Sequence, residues 1–100
     1  MTLAPDACHD MKTLRAQIDR IDLAILDLLQ ARAGYIDRAI VLKRREAMPA
    51  RTTDRVAEVI AGVRNGAGLR GLDLDLAERL WHMLIEAAIA HEEKALHRQD

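Results

Sequence analysis

Arg32 and Lys43 stand eleven residues apart in LLQARAGYIDRAIVLKR, residues 28–44, a stretch that reads as part of one long helix. Eleven residues make about three turns, so the two side chains leave the axis within ~20° of each other from Cα atoms ~16 Å apart. Two long cationic side chains reaching toward each other from such positions can clasp a small ligand. Arg32 also falls in line with an apolar seam, Leu14, Ile18, Ile21, Ile25 and Leu28, which Tyr35 and Ala39 resume, while Lys43 flanks the seam step at Leu42. On a later helix the pattern recurs: Ala77, Trp81, Leu84 and Ala88 lead to Glu92 and then Ala95. Burying an unpaired cation is costly, so inward-facing Arg and Lys side chains want an anion between them. Glu92 can pair with one of them, and the remaining positive surplus in an apolar setting defines a place for a small organic anion. The plainer reading is that such charges snorkel to solvent or fix register in a coiled coil. Three of them on two long helices weigh against it.

Arg15 lies seventeen residues before Arg32, ~25 Å along the same axis and rotated by about 100°. No single small ligand touches both from one straight helix. Arg15 is therefore an ordinary surface residue, which local spacing favours, or it serves a site on another subunit.

These residues need elements to carry them. Half of the 100 residues are apolar, but Tyr35 and Trp81 are the only aromatics, so a core must come from Leu, Ile, Val, Met and Ala. That mixture suits packed helices better than sheets. Asp10 is an N-cap candidate, and nothing but Gly34 interrupts a helix from there to about Arg45. Such a helix is about 50 Å long, against a radius of gyration near ~13 Å for a compact chain of this size. Either it bends back or a second molecule covers its seam, and the 4, 3, 4, 3 spacing favours the second molecule. EAMPARTT reads as a loop in which Pro49 ends the first helix and Thr52 or Thr53 caps the next. A short helix is expected over about Thr53–Arg64, with Val56, Val59, Ile60 and Val63 on one face. NGAGLRG, with three of the five glycines, reads as a turn. Asp73 or Asp75 then caps a third helix to about His97. The expected architecture is all-α: long, short, long. Residues 1–9 are expected to form a flexible tail and 10–98 a single helical domain.

Several classes of function are disfavoured. The net charge of −1 gives no basic surplus for nucleic acid and no attraction to an anionic membrane. Cys8 is the only cysteine, so neither a disulfide framework nor a thiolate metal site is available. The N-terminal residues lack an apolar run of signal-peptide length and no segment approaches a membrane span, so a cytoplasmic location is expected. No Glu-x-x-His pair supports a di-metal bundle, and His82 and His91 point to opposite sides of their helix. No metal or cofactor is expected. Trp81 and Tyr35 are most simply core residues, although Tyr35, one turn from Arg32, is also placed to wall a pocket.

LRAQIDRIDLAILDLLQAR, then Lys43, then PARTTDRV and LIEAAIAHEE resemble the small all-helical chorismate mutase family over nearly the whole chain, from Asp10 to about Leu96. The resemblance implies an intertwined homodimeric helical bundle with two shared active sites. It implies conversion of chorismate to prephenate, a [3,3] rearrangement in the shikimate pathway of aromatic amino-acid biosynthesis. Arg15 from the partner subunit and Arg32 would bind the substrate carboxylates. Lys43 would donate near the ether oxygen and a carboxylate, and Arg55 would stand at the mouth of the site. Glu92 falls where relatives carry Gln or Glu against the ether oxygen, and Ala88 where a small residue lies near the substrate.

The chain also departs from the pattern. Glu92 donates a hydrogen bond only when protonated. Val56 stands where mutases often have a Glu for the ring hydroxyl, and Thr52 where another acid occurs. Isochorismate pyruvate lyase, a branch of the same fold that yields salicylate and pyruvate, is the nearest alternative. It shares the early Asp-x-Cys, IDRIDL and the residues around the loop, although Glu92 departs from its Gln. A non-enzymatic helical interaction module, its seam charges paired with each other, is the rival from another class.

Overall fold

A computed structural model describes residues 3–97. A short 3-10 turn, Pro5–Ala7, precedes three helices: α1 (Met11–Arg45), α2 (Thr53–Leu69) and α3 (Leu74–Leu96). The described residues contain no strand, and no helix is long and apolar enough to cross a membrane. Residues 1–2 of the expected tail and residue 98 of the expected domain lie outside the described residues. The contacts divide the chain into two units between Tyr35 and Ile36.

In the first unit, Asp10 caps α1 by accepting from the Thr13 amide at 2.7 Å. That bond, with a second from the Thr13 side chain, holds the Asp10 carboxyl below its ordinary range. The Leu3 amide donates to Gln17 Oε1 at 3.1 Å, drawing the incoming chain onto the helix. None of the described residues up to Tyr35 is buried. Ile18, Ile21, Ile25 and Leu28, four of the seam positions, are all exposed. Tyr35, expected in the core, is 79% exposed: it closes the stretch of α1 that has no core of its own.

The second unit builds a core. α2 and α3 pack together. Ala50, Ile85 and Ile89 form the buried cluster, with Val56, Val59, Ile60 and Leu96 against it. Truncating either isoleucine to Ala there costs about 2–5 kcal/mol. The buried face of α3 is centred on Ile85, Ile89 and Glu92, with Trp81, Leu84 and Ala88 half-buried beside it. A packed helix buries a stripe wider than a strict seam, so the isoleucines one position over take the centre.

Each helix end has a physical stop. α1 ends because Ala47 adopts a left-handed conformation (φ 56), so Met48 N donates back to Lys43 O at 2.8 Å. This is a Schellman closure on a non-glycine residue, and Pro49 follows two residues later, where the helix is already over. α2 runs five residues beyond the Arg64 boundary expected from sequence, through Gly66 and Gly68. Glycine weakens a helix interior by about 1 kcal/mol, but Ala67 between them is buried and the Arg70 guanidinium donates to the Gly66 carbonyl at 2.9 Å. The terminating glycine is Gly71 (φ 68), with Leu72 N donating to Ala67 O at 2.9 Å and Gly71 N to Gly68 O at 3.2 Å. Asp73 then caps α3 by accepting from the Leu76 amide at 2.9 Å. Thr52 occupies the N-cap position of α2 but makes no side-chain capping bond.

Candidate active site

Glu92 is the one buried charged or polar residue among those described, at 4% exposure. Lys43, near the end of α1, places Nζ 2.8 Å from Glu92 Oε1. The contact is an ion pair without being a hydrogen bond: Oε1 is enclosed and accepts no hydrogen bond from any described residue. Charge attraction needs only proximity, whereas a hydrogen bond also needs direction. Lys43 spends one of its three N–H bonds on the Ala50 carbonyl, at 2.6 Å. The ammonium is thus held between a loop carbonyl and an α3 carboxylate, and 18% of its side chain remains accessible.

The remaining expected residues divide between the units. Ala88 is half-buried one turn before Glu92, on the same face of α3. Val56 is half-buried and packs against the Ala50, Ile85 and Ile89 cluster. Arg55 is exposed and pairs with Glu58 one turn along α2. Of the expected set, Lys43 and Glu92 are in direct contact. Arg15 and Arg32 lie in the first unit, the former exposed and the latter half-buried. Neither guanidinium has a hydrogen-bonding or ionic partner among the described residues.

Two further contacts tie α3 to its surroundings in the second unit. His91 Nε2 lies 2.8 Å from Asp37 Oδ1, and Arg44 donates to the Ala95 carbonyl at 2.6 Å. The Ala50 carbonyl is invisible in the sequence, because a backbone acceptor leaves no trace in residue types. Arg51, whose guanidinium forks onto Glu86, also went unpredicted. The opposite charges of those two were the available signal, but only the folded loop brings them together. An apolar cleft of about 230 Å³ between the end of α2 and the start of α3, walled by Val63, Ala67, Leu72, Ala77 and Trp81, touches none of the expected site residues.

Lys43 and Glu92 thus join two helices of an all-α chain through one largely buried ion pair. The chorismate mutase type II family model matches residues 14–93. The chain belongs to the chorismate mutase type II family. It is 35% identical over 91 residues to the isochorismate pyruvate lyase of Pseudomonas aeruginosa, covering 90% of this chain and 88% of that one. It is 30% identical over 83 residues to the T-protein of Enterobacter agglomerans, covering 83% of this chain but 22% of the T-protein. No solved structure matches to the same standard.

Proposed function

We propose that the protein is a chorismate mutase whose active sites are shared between two copies of the chain. The observation that carries this reading is the Lys43–Glu92 pair, 2.8 Å apart and largely withdrawn from water, inside the stretch matched by the family. Arg32, Lys43 and Arg15 of a second copy bind the two carboxylates of chorismate, Arg being suited to them by its planar fork. Arg55 stands at the mouth, and Val56 and Ala88 shape the walls. The second copy covers the exposed Ile18, Ile21, Ile25 and Leu28 of α1. The reaction is an internal bond exchange that requires no nucleophile. The protein holds the enolpyruvyl arm over the ring and aims donors at the ether oxygen as negative charge grows there.

Lys43 supplies one such donor directly. Glu92 holds that ammonium through its ion pair, and Glu92→Gln exchanges the carboxylate for a neutral amide that itself donates to the ether oxygen. A kcat that falls sharply in Glu92→Gln would leave Glu92 as the group that holds Lys43 rather than one whose place a donor can take.

A second reading, isochorismate pyruvate lyase, is favoured by the Pseudomonas relative, whose match covers most of both chains. Both reactions break an ether C–O bond of a doubly acidic ring compound, so the same cations serve either. Purified protein assayed separately with chorismate and isochorismate decides between them. Faster formation of prephenate supports the mutase, and faster formation of salicylate supports the lyase. Turnover of neither, with no thermal protection by a dicarboxylate transition-state mimic, would leave the helical interaction module.

A further inference from the structure

The loop between α1 and α2 is wound around Lys43. Its backbone carbonyl accepts from Met48 N at 2.8 Å, and its Nζ donates to the Ala50 carbonyl at 2.6 Å. Ala50 is anchored in the buried cluster with Ile85 and Ile89. The next residue, Arg51, reaches α3 and donates two hydrogen bonds to Glu86, Nη1 to Oε1 at 2.9 Å and Nη2 to Oε2 at 2.7 Å. A two-bond fork fixes orientation as well as distance, which a single contact cannot do. The same bonds hold the Arg51 guanidinium more firmly protonated than usual and the Glu86 carboxyl below its ordinary range.

We propose that Arg51 and Glu86 are positioning residues for Lys43. Their fork clamps the loop to α3 and keeps the Ala50 carbonyl within reach of the ammonium. Lys43 is then held from two sides, by a hydrogen bond to Ala50 O and by charge attraction to Glu92 Oε1, with donor capacity left for an anionic ligand. A lysine stem is flexible and its ammonium is a point charge without preferred direction, so its aim has to come from its acceptors. The pair itself is half in water, at 46% and 54% side-chain exposure, which limits what it adds to global stability. Its consequence falls on the placement of one atom. The catalytic part of the proposal rests on the function proposed above; the hold on Lys43 does not.

Two readouts keep these apart. The first is acetylation of the intact protein with acetic anhydride, read by peptide mass spectrometry as modification of Lys43 relative to the exposed Lys12 and Lys94. Arg51→Ala and Glu86→Gln should each raise Lys43 labelling several-fold with the melting temperature nearly unchanged. The double variant should match either single, because either change releases the same loop. Reversing both charges, Arg51→Glu with Glu86→Arg, should restore protection where each reversal alone does not. Labelling that stays at the parent level in both single variants overturns the proposal, whether or not the protein turns over chorismate.

The second readout is steady-state kinetics with chorismate. Loss of the clamp should lower kcat by about ten- to a hundred-fold, the scale of a misplacement near 1 Å, with KM moving less. A kcat lowered by Arg51→Ala but unchanged or raised by Glu86→Gln would make Arg51 a substrate contact and overturn the positioning role. A parent protein inactive on both chorismate and isochorismate would sink the proposed function while the labelling result still decides the clamp.

Discussion

α1 carries one periodic apolar seam, and its two ends meet different surroundings. Up to Tyr35 no described residue is buried, and Ile18, Ile21, Ile25 and Leu28 of the seam are open. After Tyr35, Ile40 is buried, Ala39 is half-buried, and Lys43 meets a carboxylate and a carbonyl of its own chain. The difference teaches what a seam says. Periodicity announces that a face will be covered, but not whether the cover belongs to the same chain. Exposed apolar side chains in a row on one helix are the surface a second molecule takes up.

The largest expected effect lies in the self-sufficient half. Lys43→Ala should lower kcat/KM by about 10²- to 10³-fold, the usual cost of removing one preorganised donor from developing charge. Its circular dichroism should stay helical. The exposed half should respond through assembly instead. Ile21→Asp with Ile25→Asp places two charges on the exposed face for which a second copy is proposed. Sedimentation should show loss of the proposed dimer, and helicity should fall most at low protein concentration. A parent protein that is already monomeric at assay concentration and fully active would break the comparison.

A mixing experiment joins the halves. Arg15→Ala and Lys43→Ala chains should each be nearly inactive, yet together recover about a quarter of normal activity after unfolding and refolding. That fraction follows because half of randomly paired dimers are mixed and each keeps one intact shared site. No recovery would place Arg15 and Lys43 in the same copy's site, and an Arg15→Ala chain fully active alone would place Arg15 in none.

Much of this was legible in the residues. Three helices follow from seam spacing and from Asp10 and Asp73, whose capping bonds are both present. Glu92 was visible as a charge in an apolar seam, and its pairing with Lys43 was foreseeable from sign alone. The end of α2 was not, because glycines at 66 and 68 look like a turn until the burial of Ala67 and the closure at Gly71 are seen. Nor was the loop: Ala50 acts through its carbonyl, and Arg51 and Glu86, thirty-five residues apart, meet only after α3 packs. Backbone acceptors and long-range pairs depend on the fold rather than on neighbours in the chain, so local pattern does not report them.

The smallest expected effect tests the distinction from its other side. Ala47 holds φ at 56 to close α1, a conformation that costs an L-residue roughly 1–2 kcal/mol and glycine almost nothing. Ala47→Gly relieves that strain but leaves a freer unfolded chain, so the net gain should be about 0.5–1 kcal/mol, a rise of a few degrees in Tm. Ala47→Val should move Tm the other way, since a β-branched side chain tolerates positive φ worst. Because the strain is local to one chain, the Ala47→Gly shift should be nearly the same at every protein concentration. The aspartate substitutions at Ile21 and Ile25 act on association, and their shift should grow on dilution. Thermal melts of the variants across a hundred-fold dilution series compare the two. An Ala47→Gly shift that tracked concentration as steeply as the aspartates' would mean that the loop end of α1, too, depends on a second copy.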